Sequence, residues 1–95
     1  MTATLQLIGN RLRKHRRLMG YSQLEVAKRL GHKDTALISR WENGITLPGT
    51  VNVMHLSRLY RTLVNELLLE LDQQSVELIY PKHESRDIRP TMNAP

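Results

Sequence analysis

The chain has no cysteine, no phenylalanine, a single tryptophan and no apolar run of 18 residues, and each shortage removes a class of protein. Without cysteine there is no disulfide scaffold, no thiolate zinc site and no cysteine nucleophile. The four histidines, His15, His32, His55 and His83, lie 17, 23 and 28 positions apart, so none pairs with another at the helical spacing of a metal site. Neither a metal nor any other cofactor is expected. The lack of a long apolar run excludes a membrane-spanning helix of the usual length. The N-terminus also lacks the charged start, apolar stretch and small-residue cleavage site of a secretory signal, so a cytoplasmic address is expected. Ninety-five residues and 11.0 kDa fit one small domain plus an arm. A core of that size hides only roughly 60–65% of the unfolded chain's surface, too little for a deep substrate cavity. Ser22, Ser39, Ser57, Ser75 and Ser85 have no neighbouring motif that would activate a nucleophile, and an enzyme is not expected.

Strand patterning is equally scarce. No stretch alternates apolar and polar residues for more than a few positions, whereas leucine occurs sixteen times, and the fold class expected is all-α. What the chain does have is charge of one sign, concentrated in one half. Residues 1–50 hold nine Lys or Arg against three acids, a net of +6, and residues 51–95 hold five against six, a net of −1. A basic half in a chain with pI ≈ 10.1 points to a polyanion partner, because neutralising phosphates releases counterions and drives binding.

Helix signals divide the chain. A first helix from about Thr4 to Met19 places Leu5, Ile8, Leu12 and Met19 on one side, and Gly20 ends it. Ser22 with Glu25 three residues later forms a capping-box pattern, so a short helix starts there, buries Val26, Ala27 and Leu30, and stops at Gly31. Asp34 caps a third helix with Leu37, Ile38 and Trp41 facing inward, ended by Asn43-Gly44. After Pro48-Gly49, Thr50 is the candidate cap of a fourth helix that buries Val53, Leu56 and either Leu59 or Tyr60. Thr62 is the candidate cap of a fifth, with Val64, Leu67, Leu68, Leu71 and Leu78 on one side and Ser75 interrupting the stripe. From Pro81 charges, prolines and small polar residues dominate, so residues 1–80 are expected to form the domain and residues 81–95 a flexible tail.

The segment Ser22 to Gly44, SQLEVAKRLGHKDTALISRWENG, joins two capped helices with almost no slack, so they must cross steeply. A helix-turn-helix, here about residues 22–43, uses that geometry to rest one helix on the DNA backbone and project the next into the major groove. The residues also resemble the phage-repressor and Cro type of helix-turn-helix, the XRE-like family of bacterial and phage regulators. The resemblance covers roughly Ile8 to Leu68 and rests on Arg16, Ser22-Gln23, Val26-Ala27, Leu30-Gly31, the run Ile38-Ser39-Arg40-Trp41-Glu42-Asn43-Gly44, and Pro48. It implies a compact five-helix, lambda-repressor-like domain that binds double-stranded operator DNA as a homodimer, regulating transcription as a small repressor. The stretch from Gly31 to Trp41 is one residue longer than usual in the family, which leaves open the first position of the recognition helix.

By the same resemblance, Thr35, Ala36, Ser39 and Arg40 face the groove and read bases. Arg40 either forks onto a guanine or contacts a phosphate. Thr35 and Ala36 either touch a thymine methyl or pack the turn. Ser22 and Gln23 at the start of the second helix, Lys33 before the third, and Asn43 and Thr46 after it are candidate phosphate contacts. Arg16 and Glu42 correspond to a partly buried structural ion pair. Arg13, Lys14 and Arg17 are left as either solvated or DNA-proximal charges. The fifth helix carries more apolar surface than one domain face covers, and Val64, Leu67, Leu68 and Leu71 are its candidate dimer interface. The alternative is an antitoxin-like module that binds its operator and also a protein partner, through the C-terminal helix or the tail.

Overall fold

The computed structural model describes residues 2–79, and within them six helices follow one another without a strand: α1 (Thr2–Leu18), α2 (Gln23–Arg29), α3 (Ala36–Glu42), α4 (Thr50–Tyr60), α5 (Val64–Leu67) and α6 (Leu69–Ile79). The all-α class expected from the scarcity of strand patterning is the one observed. The tail expected over 81–95 lies outside the described residues.

α1 is the spine of the domain. Ile8, Leu12 and Arg16, four residues apart, lie on one buried face, while Asn10, Lys14 and Arg17 stay exposed on the other. The capping box opens α2 as its sequence dictates. Glu25 N donates to Ser22 Oγ at 3.0 Å, and Ser22 N donates to Glu25 Oε1 at 2.7 Å, satisfying donors that the helix start leaves orphaned. The chain leaves α2 through Gly31, whose φ of 86° is the left-handed conformation that favours glycine.

Ile38 and Trp41 then carry α3 into the core. Asp34 does bond the start of α3, taking the N–H of Ala36 at 3.0 Å. Thr35 stands at the geometric cap position without a side-chain bond. Thr50, in contrast, is no cap. It is the first residue of α4, Gly49 precedes it in extended conformation, and no side chain closes that end. Thr62 is not a cap either, because Leu63 holds the cap position of α5, and the Thr62 carbonyl instead accepts the hydroxyl of Ser57 at 2.5 Å at the end of α4.

The largest difference from expectation is that the fifth helix is broken. α5 has only four residues, Leu68 departs from helical geometry at φ −109°, ψ 33°, and α6 restarts at Leu69. The two pieces are held differently. Leu67 drops into the core beside Ile8, Leu12 and Leu56 at 0% exposure, whereas α6 is drawn along α1 by polar bonds. Arg11 bridges the break, reaching Glu66 of α5 at 3.3 Å and Glu70 of α6 at 2.7 Å, and Gln74 Nε2 of α6 donates to Thr4 Oγ1 at 2.8 Å. The five residues expected on one stripe therefore part company, from fully buried Leu67 to Leu78 at 83% exposure.

The core gathers Ile8, Leu12, Val26, Ala27, Ile38, Trp41, Leu56, Tyr60 and Leu67 from α1 to α5. Each large apolar side chain among them contributes roughly 1.5–3 kcal/mol by leaving water. α1 meets the end of α3 at unusually close range. A Cβ on Gly9 would lie 2.5 Å from the Glu42 carbonyl oxygen and 2.7 Å from that of Trp41, so only glycine allows this approach.

Candidate nucleic-acid interface

The inward side of α3 ends on a charge that the fold must neutralise. Glu42 is 1% exposed, and an unpaired carboxylate there would cost several kcal/mol. Arg16 supplies the fork, with Nε donating to Glu42 Oε2 at 2.6 Å and Nη2 to Oε1 at 3.0 Å. Its remaining Nη1 donates to the Tyr21 carbonyl at 2.8 Å. Gln23 Nε2 adds a bond to Glu42 Oε1 at 3.0 Å, and Arg13 Nε lies 3.5 Å from the same oxygen. The hydrogen bonds to Glu42 raise the pKa of Arg16 above its ordinary value. Burial, reinforced by the Glu42 charge, pushes the Tyr60 phenol up. One carboxylate thus ties together α1, α2 and α3.

With its inner side fixed, α3 turns a second side outward. Thr35, Ala36, Ser39, Arg40 and Asn43 follow the helical repeat and share that side. Ala36, Arg40 and Asn43 are exposed, and Thr35 and Ser39 half-buried. The Arg40 side chain makes no hydrogen bond or ion pair among the described residues. Lys33 lies exposed just before the helix and Thr46 just after it, with no side-chain bond of their own among the described residues. Lys14 and Arg17 on α1 are also exposed and unpaired there, so the acids that neutralise this region leave its outer cations free.

Two candidate phosphate contacts have a second engagement that the sequence did not announce. Gln23 gives an amide N–H to Glu42, so its expected phosphate contact through that amide competes with an internal bond. The backbone N–H groups at the start of α2 stay beside it. Asn43 lies between Arg13, whose Nη2 donates to its Oδ1 at 2.8 Å, and Ser39, whose Oγ accepts its Nδ2 at 3.1 Å. Arg13 is therefore neither simply solvated nor simply free for DNA. Its signal was the three-residue spacing to Arg16, which puts both on one helix face. Gln23 carried no comparable signal, because its partner lies 19 positions away.

The four residues expected at a dimer interface do not share one environment. Leu67 belongs to the core and is withdrawn from the surface, since α5 turns it toward α1 and α4. Val64 is 39% exposed, Leu68 and Leu71 are half-buried, and these three line a groove of about 480 Å³ together with Leu63, Asn65 and Asp72.

Comparison with protein-family models matches residues 12–67 to the helix-turn-helix family of the XRE type, as in Cro and cI repressors. Comparisons with curated proteins and with solved structures find no match. The matched stretch is well over half of the chain. It begins within α1, spans the Glu42 network and the outward side of α3, and ends at Leu67.

Proposed function

This chain belongs to the XRE-type helix-turn-helix family of DNA-binding transcription regulators, and we propose that it is a small repressor reading operator DNA through the outward side of α3. The observation that carries the reading is Arg40, exposed and unpaired in the middle of that side, on a helix whose other side is locked by Ile38, Trp41 and Glu42. A guanidinium so presented forks onto O6 and N7 of guanine, a contact worth ~1–3 kcal/mol of discrimination. Thr35 and Ala36 meet thymine methyl groups near the start of the helix, and Ser39 completes the set. Ser22 and Gln23, with the N-terminal N–H groups of α2, hold one phosphate, and Lys33, Asn43 and Thr46 hold the strand on either side of α3.

The repressor acts as a homodimer joined through α5 and α6. Exposed Leu63 and Val64 beside half-buried Leu68 and Leu71 support this choice, with Leu67 excluded. A two-fold pair places two recognition helices about one DNA turn, ~34 Å, apart. A second reading, the antitoxin-like module, is favoured by Leu78 and Ile79 at the end of α6, 83% and 60% exposed. Co-purification of a second polypeptide from the native host supports that module, and a homogeneous dimer supports the repressor.

The test is a fluorescence-anisotropy titration of duplex DNA from immediately upstream of the gene against a scrambled duplex, at several salt concentrations. A preference of ~10³-fold or more that weakens with salt is the expected result. Equal affinity for both duplexes refutes sequence reading at that site, and no binding at low salt refutes DNA reading altogether.

A further inference from the structure

A hydrogen-bond relay runs from α1 to the outward side of α3, and its polarity is fixed at its source. Arg13 Nη2 donates to Asn43 Oδ1 at 2.8 Å and approaches the Glu42 carbonyl at 3.4 Å, so the guanidinium is clamped on the end of α3. A guanidinium has donors only. The amide oxygen of Asn43 must therefore face Arg13, and its nitrogen must face the other way, where it donates to Ser39 Oγ at 3.1 Å. That bond fills one lone pair of the Ser39 hydroxyl, and its hydrogen has no acceptor among the described residues.

We propose that Arg13 and Asn43 are positioning residues that make Ser39 a hydrogen-bond donor to the DNA base edge, so that the strand position it faces admits guanine, adenine or thymine and rejects cytosine. The proposal rests on the reading that α3 enters the major groove. There guanine presents O6 and N7, adenine N7 and thymine O4 as acceptors, whereas cytosine presents only the N4 amino donor. A cytosine could be accommodated only if Oγ took a second hydrogen bond while its own hydrogen was held against the base with no acceptor, and a buried donor left unpaired is costly. Three residues from two helices thus set a preference through a single hydroxyl. Neither Arg13 nor Asn43 need touch a base.

Selection of bound duplexes from a random library by the full-length protein, followed by sequencing, tests this and needs no operator to start from. The unaltered protein should show one position at which cytosine is depleted roughly three- to tenfold, the effect of one net hydrogen bond. Ser39→Ala should erase that depletion and leave the other positions as they were. Asn43→Asp should reverse it: a carboxylate accepts from Arg13 and from the Ser39 hydroxyl together, turning a lone pair of Ser39 outward toward the cytosine amino group. Arg13→Met should weaken the depletion, and Arg13→Lys, again a donor only, should restore it. A general loss of stability lowers binding to all sequences alike and moves no single base frequency. If the protein selects a motif that Ser39→Ala or Asn43→Asp leaves unchanged, the relay is refuted and the repressor reading stands. If it selects no motif, both are refuted.

Discussion

α3 and α6 put their apolar residues to opposite uses. The seven residues of α3 bury Ile38, Trp41 and Glu42, whereas the eleven of α6 bury none. α3 is fixed by what it sinks into the core and by the two arginines and one glutamine that surround Glu42. α6 is hooked from one side, through Glu70 to Arg11 and Gln74 to Thr4, with Val76, Leu78 and Ile79 facing water. A helix that must present side chains to a rigid partner needs its own position determined closely. A helix with uncovered apolar residues suits association. The difference between the two thus matches the division of labour proposed for them, α3 for DNA and α6 for a second protein surface.

The largest effect falls at Glu42. Glu42→Ala strands Arg16 in the interior and should cost roughly 3–5 kcal/mol, lowering the melting temperature by well over ~10 °C in calorimetry. A cooperative melt near that of the unaltered protein would contradict the network's role. Gly9→Ala comes next. It forces a methyl group against two backbone carbonyls of α3 and should destabilise by roughly 1–3 kcal/mol, in spite of alanine's better helix propensity. Glu70→Ala acts on the more loosely held helix, α6. Its bond to Arg11 is only partly buried, so denaturant titration should show a loss of about 1 kcal/mol, clearly smaller than at Glu42.

Val64→Glu should convert a dimer to a monomer in sedimentation and, measured against the unaltered protein diluted to monomer, leave the melt within about 0.5 kcal/mol. An unchanged sedimentation coefficient would remove α5 from the interface. The smallest effect belongs to the exposed end of α2. The Ser22 backbone N–H holds the Glu25 carboxyl below its ordinary pKa of 4.5, so the folded state binds that proton less readily than the unfolded chain. Its contribution is complete above the unfolded value and is lost as pH falls through the lowered folded one. Glu25→Gln should therefore flatten the acid limb of a stability profile slightly and leave its neutral region nearly unchanged.

Much of α3's surroundings was legible because local chemistry decides it. Ser22 with Glu25 opens α2, Asp34 bonds the start of α3, and Ile38 with Trp41 marks its inner side, each within four residues of its partner or of the next residue on its face. Arg16 and Glu42 were legible only through the family resemblance. The break at Leu68 was not, because the spacing of Val64, Leu67, Leu68 and Leu71 fits one continuous helix, and only the pull of the core on Leu67 and of Arg11 on Glu70 divides it. Gly9 and the inward bond of Gln23 were missed for the same reason. Their roles come from groups 19 to 33 positions away, and no local pattern encodes such a distance.

That α3 reads bases through Arg40 is tested most directly by comparing the unaltered protein with Arg40→Ala on a selected and a scrambled duplex over a range of salt. The expected result is a preference reduced by roughly five- to a hundredfold, with affinity for the scrambled duplex and its salt dependence nearly unchanged. An equal loss on both duplexes, with the salt slope reduced by about one, would instead make Arg40 a phosphate contact and contradict base reading by this residue.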